Sequence, residues 1–241
     1  MRKITALVLA MLMFFVLSTE SFASPKGAVL IDSENGRVLF SGDENLLARV
    51  NICSHFAERV QILVGSFKAT TFEELFQGTK ALEWEKWIGS LDAFPVKGYS
   101  INSDLFSTRD CQAIIKKAVV RSMSEVYGIS VFPEEGVKYQ IDFFLFKNRA
   151  TLMIDTSGVP LHKRGYRPER VEAPIRETLA AAMVKLARPR ENVLLWDPFC
   201  GSGTIAIESA MILANIAPGL NRSFASEKFP LITPQMWEEA R

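Results

Sequence analysis

The residues best equipped for chemistry are Asp197-Pro198-Phe199-Cys200-Gly201-Ser202-Gly203-Thr204, which close the apolar run Leu194-Leu195-Trp196. After them Ile205, Ile207, Met211 and Ile212 are spaced as on a helix. A strand, a glycine-rich turn and a helix N-terminus are expected from this order. In α/β folds the crevice beyond a strand's carboxyl end, beside a helix start, is where nucleotide-like ligands bind. Glycines admit close backbone approach, and free helix N–H groups favour a carboxylate or phosphate. No Gly-Lys-Ser/Thr follows, so a triphosphate cradle is not supported, and a full G-x-G-x-x-G is missing. The bland alternative is an ordinary strand-to-helix turn. Cys200 has no base beside it in sequence, which argues against a nucleophilic role.

Metal and disulfide chemistry find little footing. Cys53, Cys111 and Cys200 form no Cys-x-x-Cys pair, and the two histidines, His55 and His162, lie far apart. Scattered cysteines of this kind suit a reducing compartment. With 241 residues, 48% hydrophobic and 23% charged, the chain is long enough for one large domain or two small ones. Its net charge of +1 means that any nucleic-acid surface must be a local patch.

That patch is sought just upstream of the turn. Residues 161–190 hold eight Lys/Arg against three Glu. His162, Lys163, Arg164, Tyr166 and Arg167 combine phosphate-binding charge with a ring that could stack on a base. A merely solvated linker is the alternative. Residues 173–187 read as an alanine-rich helix, with Pro174 tolerated in its first turn.

Further upstream the pattern is α/β. Asp43 or Asn45 could cap a helix, residues 59–64 alternate as a strand, and Thr70 or Thr71 caps a short helix after a turn at Phe67. Trp84 and Trp87, three apart, read as core rather than a base-stacking platform. A strand in residues 94–106 leads to a helix over 107–127, with Ile114, Ile115, Ala118, Val119, Met123 and Val126 as its apolar stripe. Lys116, Lys117 and Arg121 are left for its solvent face, as an RNA contact or as plain solvation. Residues 139–146 and 150–155 read as a hairpin around Lys147-Asn148-Arg149.

The N-terminus points elsewhere. A basic start, an apolar run over residues 4–17 and Ser21-Phe22-Ala23 form a secretory signal pattern too short for a confident membrane span. Residues 27–39 read as two strands around the turn Asn35-Gly36. Together these first forty or so residues resemble the start of exported D-alanyl-D-alanine carboxypeptidases. That family's Ser-x-x-Lys nucleophile motif is absent: no serine here has a lysine three residues on.

The turn at 197–204 resembles motif I of S-adenosylmethionine-dependent methyltransferases that act on amino groups of RNA and DNA. From Glu34 onward the chain resembles the THUMP-containing bacterial methylases of a guanine amino group in large-subunit (23S) rRNA. The residues that carry this are Phe67-Lys68-Ala69-Thr70-Thr71-Phe72-Glu73-Glu74-Leu75-Phe76, residues 107–117 with Cys111-Gln112-Ala113-Ile114, and residues 151–167. The resemblance implies a THUMP domain, an α/β RNA-binding module, followed by the beginning of a Rossmann-like class I methyltransferase domain.

The expected division is a signal-like segment at 1–23, a hairpin segment and junction at 24–44, THUMP at 45–156, a basic linker at 157–170 and methyltransferase at 171–241. By the same resemblance, Asp197, Pro198, Phe199, Cys200, Gly201, Ser202, Gly203 and Thr204 bind S-adenosylmethionine, and Asp197 accepts from its amino group. Gly201 and Gly203 clear room for it. His162, Lys163, Arg164, Tyr166 and Arg167 meet ribosomal RNA. No metal and no stable membrane partner are expected, and the family is cytoplasmic. Residues 217–224 also match, on the cofactor or RNA side or as loop packing. The family's acidic residue after the second strand and its Asn/Asp-Pro-Pro-Tyr/Phe tetrapeptide are not found, so the expectation is negligible activity for this chain. Residues after about 190 are expected to be poorly stabilised alone, since a first strand cannot bury its faces. The export signal and a cytosolic substrate disagree; residues 32–39 suit both families and are the expected fusion junction, the alternative being a genuine export signal on a divergent protein.

Overall fold

The computed structural model describes residues 29–31, 38–40, 42–167, 174–190, 192 and 194–241. The signal-like segment and the Asn35-Gly36 turn lie outside them. The described residues form two compact units, one within residues 57–163 and 221–234, the other within residues 29–56, 164–220 and 235–241.

The first, the sheet unit, holds β3 (Gln61–Lys68), α2 (Phe72–Lys80), a 3-10 turn (Trp84–Lys86), β4 (Val96–Ile101), α3 (Thr108–Tyr127), β5 (Ile141–Phe146) and β6 (Arg149–Asp155). The sheet order is β3-β6-β5-β4, antiparallel except for the parallel β4–β5 pair. Its nucleus is the expected β5–β6 hairpin. Lys147 (φ 48°) and Asn148 (φ 61°) are both left-handed, as a tight two-residue hairpin loop requires. Asn148 is held there by the Asp104 amide, which donates to its Oδ1 at 2.7 Å.

Alternation then sorts the side chains. Ile141, Phe143 and Leu145 share one face with Ala150, Leu152 and Ile154, and all are buried. Leu75 of α2 and Ile115, Val119 and Met123 of α3 join them in one core. Gly98 in β4 permits this packing, because a Cβ there would stand 2.0 Å from the Phe143 carbonyl oxygen. The chain returns at residues 221–234, where Phe229 stacks on Tyr139 with centroids 4.3 Å apart. Burial pushes the Tyr139 phenol up to about 12.

Local signals set the helix starts. Thr71 forms a capping box with Glu74, and Ser107 accepts from the Asp110 amide at 3.4 Å. Gly128, left-handed at φ 70°, ends α3. Three expectations need correction. Strand β3 continues through Phe67 and Lys68, because its ladder with β6 extends to Arg149. Val126 is exposed, since Tyr127 takes the inward place in the last turn and donates to the Ile88 carbonyl at 2.9 Å. Lys116 is only partly on the solvent face, since it pairs with Glu134 and sits 3.6 Å from the Phe94 ring centroid, whereas Arg121 is exposed there as expected, 3.0 Å from Glu125. Trp84 is core, as expected, and its indole donates to the Thr79 carbonyl at 2.8 Å.

The second, the helical unit, contains the antiparallel β1 (Val29–Ile31) and β2 (Val38–Phe40), then α1 (Glu44–Cys53), α4 (Glu177–Ala187), α5 (Thr204–Leu213) and most of α6 (Pro234–Ala240). Asp43 caps α1 by accepting from the Leu46 amide at 2.9 Å. Ala180, Ala181 and Ala182 bury the small-residue face of α4, which packs against α5. That helix starts at Glu177, so Pro174 precedes it rather than sitting in its first turn.

The expected strand at 194–197 is absent. These residues are irregular, and Leu194 and Trp196 are 91% and 79% exposed. A parallel-sheet strand needs neighbours on both edges and helices on its faces, and none of the described strands lies beside this one.

Candidate cofactor and RNA site

The turn before α5 is built as its glycines suggest. Gly201 (φ 52°) and Gly203 (φ 72°) are both left-handed, a conformation that costs an L-residue about 1–2 kcal/mol. Asp197 stabilises the entry by accepting from the Phe199 amide at 3.2 Å. The Gly203 amide then donates to the Cys200 carbonyl at 2.7 Å. Thr204 opens the helix behind Gly203, which supplies no side-chain cap, so the first-turn N–H groups keep no local acceptor. Ser202 and Thr204 hydroxyls lie 2.9 Å apart.

A Cβ on Gly201 or Gly203 would meet nothing closer than 4.0 Å and 3.9 Å. Glycine is therefore demanded by conformation, and open space lies beside both residues. Uncapped amides, open space and an acidic residue at the turn's entrance fit the amino-acid end of S-adenosylmethionine. When bound, that cofactor supplies a sulfonium-activated methyl group. Phe199 is 93% exposed and Cys200 is an exposed free thiol.

The basic joint behaves differently from its composition. Lys163 is exposed, and His162 lies 2.7 Å from Glu58. Arg164, by contrast, is 3% exposed. It donates to Glu208 at 3.4 Å and to the carbonyls of Ser54 at 3.4 Å and His55 at 2.5 Å. The Tyr166 hydroxyl donates to the same Glu208 oxygen at 3.0 Å, and burial beside that carboxylate pushes the phenol well above its ordinary range. Arg167 donates to the Thr204 hydroxyl and lies 3.3 Å from Glu177. Three of the five residues expected to face RNA thus turn into their own unit, because two buried carboxylates there demand cationic partners.

Those carboxylates, Glu208 and Glu177, were not singled out from sequence. The available signal was one acidic residue inside the apolar stretch Ile205-Ala206-Ile207-Glu208-Ser209-Ala210. In the 217–224 stretch, Arg222 donates to the carbonyls of Pro160 at 2.9 Å and Lys163 at 3.0 Å, which is loop packing. No three His, Cys, Asp or Glu side chains gather as a metal site among the described residues. Nor is any described helix long and apolar enough to cross a membrane.

Three family profiles match in succession: an RlmL ferredoxin-like domain at 26–61, a THUMP domain at 69–155 and an RMKL-like methyltransferase domain at 164–241. The first begins at residue 26, inside the segment that resembles an exported carboxypeptidase, and overlaps its last third. YpsC of Bacillus subtilis (strain 168), a candidate RNA methyltransferase by its name, is 46% identical over 210 residues, 86% of this chain and 54% of its own length. A ribosomal RNA large subunit methyltransferase K/L of Psychromonas ingrahamii is 34% identical over 85% of this chain and 27% of its own.

Among solved structures, the candidate methyltransferase SMU.472 in complex with SAH superposes with a TM-score of 0.85 at 40% identity, over 97% of this chain and 60% of that one. The chain spans about half the length of YpsC and about a quarter of the K/L enzyme. By its successive profile matches and its relatives, the chain is similar to proteins that join a THUMP domain to an RMKL-like methyltransferase domain.

Proposed function

We propose that this chain supplies the RNA-recognition module and the cofactor turn of a cytoplasmic methyltransferase acting on a guanine exocyclic amino group of 23S rRNA. The observation that carries the reading is the glycine turn with open space at both Cβ positions and an uncapped helix start. Asp197 and the turn through Thr204 hold the amino-acid end of S-adenosylmethionine. On the joint, exposed Lys163 and its neighbour His162 are the residues left to meet RNA phosphate.

The chain alone is expected to transfer negligible methyl, since it holds no Asn/Asp-Pro-Pro-Tyr/Phe tetrapeptide to accept the target amino group. Calorimetric titration with S-adenosylhomocysteine, paired with a tritiated methyl-transfer assay on 23S rRNA, tests both parts. Binding without turnover is expected. No binding would remove the cofactor reading, and robust turnover would remove the inactivity.

A second reading, a non-catalytic RNA-binding THUMP module, is favoured by two separate facts: the core of the sheet unit is closed, and the segment at 194–199 is largely exposed. RNA binding without cofactor binding would select it. An exported carboxypeptidase would instead have to be acylated by a β-lactam, for which the chain has no Ser-x-x-Lys serine.

A further inference from the structure

We infer that Glu208 is a positioning residue for the cofactor turn: held by Arg164 and Tyr166, its buried carboxylate anchors α5 from the side and leaves the helix's first amides open. The inference rests on the cofactor reading above, and it gives the Arg164–Arg167 stretch a role that its basic character hides.

A helix start can be held in two ways. An Asp, Ser or Thr cap holds it locally, by spending its side chain on the first-turn amides. Gly203 provides no such bond, so α5 begins without local restraint, and uncapped ends are where helices open first. A local cap would also occupy the donors that an anionic ligand needs. Anchoring the helix through side chains that project sideways avoids that competition.

Such an anchor is present. Glu208 lies four residues, about one turn, beyond Thr204 and is fully buried. A carboxylate there is costly to desolvate and persists only with close partners. One oxygen accepts from Arg164 at 3.4 Å and from Tyr166 at 3.0 Å. The other has no hydrogen-bond partner among the described residues and faces His55 Nδ1 at 3.7 Å. Gly165, at φ 92°, lets the flanking side chains converge on one oxygen. Arg164 is itself fixed by the Ser54 and His55 carbonyls just past α1. Arg167 adds a second point, on the Thr204 hydroxyl, and reaches Glu177 at the start of α4. The stretch Arg164–Arg167 therefore ties the end of α1 and the starts of α4 and α5 together, and three of its bonds land on the first two turns of the cofactor helix.

The test uses the full chain and its Glu208→Gln and Tyr166→Phe variants, with hydrogen exchange of residues 207–210, the first hydrogen-bonded amides of α5, as the primary reading. The first variant removes the charge that Arg164 needs, and the second deletes a single hydrogen bond in case the first does not fold. Both should speed exchange in that segment, by about tenfold for Glu208→Gln, while exchange in β5 and β6 stays unchanged. Affinity for S-adenosylhomocysteine should fall by a similar factor, and affinity for a 23S rRNA fragment should stay within about twofold. Ala181→Gly, a buried α4 change outside the cluster, serves as the control for simple destabilisation.

Equal mobilisation of residues 207–210 by that control would reduce Glu208 to a structural residue. Unchanged exchange there in both cluster variants would overturn the anchor, and so would loss of RNA affinity with that segment still protected. If the parent chain fails to bind S-adenosylhomocysteine, the cofactor reading falls, while the exchange comparison still decides whether Glu208 holds the turn.

Discussion

The two units spend their side chains in opposite ways. The sheet unit is built on an apolar core of Phe143, Leu145, Leu152 and Ile154 under α2 and α3, and among its described residues Asp155 is the one buried charge. The helical unit buries Arg164, Glu177 and Glu208, yet leaves Leu179, Met183, Leu186, Trp196 and Phe199 exposed. Hairpin-linked strands find their partners locally, so a sheet begun by β5 and β6 closes with a few long-range additions. A strand of a parallel sheet is paired only through crossover connections, and the 194–197 segment has no described strand beside it. Ionic anchoring takes over where sheet packing is missing.

Substitutions should separate the two regimes. Arg164→Ala leaves Glu208 buried without its cation and should cost the helical unit about 3–5 kcal/mol. Hydrogen exchange in α4 and α5 reads that loss, with β5 and β6 unaffected. Survival of α4 and α5 protection would mean that the ionic cluster is not what holds this unit. Leu152→Ala should cost the sheet unit about 2–5 kcal/mol through the cavity it leaves, seen in denaturant unfolding followed on Trp84.

A smaller effect of opposite sign is expected at Asp142. Burial, reinforced by Asp155, raises its carboxyl above the ordinary range. The folded sheet unit therefore holds that proton more tightly than the unfolded chain does. This group's stabilisation is present below the ordinary carboxylate range and is lost as pH rises through the raised value. Asp142→Asn keeps the bond donated by Gln61, 2.6 Å in the parent. It should raise stability at neutral pH by up to about 1 kcal/mol and flatten the slope of thermal midpoint against pH just above that range. A lowered midpoint would show that the ionised form is the favoured one. Smallest of all, Phe199→Ser should change unfolding by no more than about 0.5 kcal/mol, because Phe199 touches so little. A larger loss would reveal packing at the turn.

Much of the sheet unit was legible before the structure. Thr71 acts within three residues, as Asp43 does in the helical unit, and the Lys147–Asn148 loop and the alternation beside it are equally local. Where the sequence reading missed, the deciding partner was distant or a competitor lay nearby. Phe67 looked like a turn because its ladder partner, Ala150, lies far along the chain. Val126 fitted the apolar stripe of α3, yet Tyr127 took the core. The glycine turn was legible because left-handed backbone is a local demand.

The partners of that turn were not. Arg164 and Glu208 are 44 residues apart, and nothing in either segment states that they meet. Sequence by itself therefore determined the turn, the caps and the hairpin, whose energies are set by neighbours along the chain. Tertiary structure alone decided that Arg164, Tyr166 and Arg167 of the basic joint face inward, because the desolvation of a buried carboxylate exists only once the helices have packed around it.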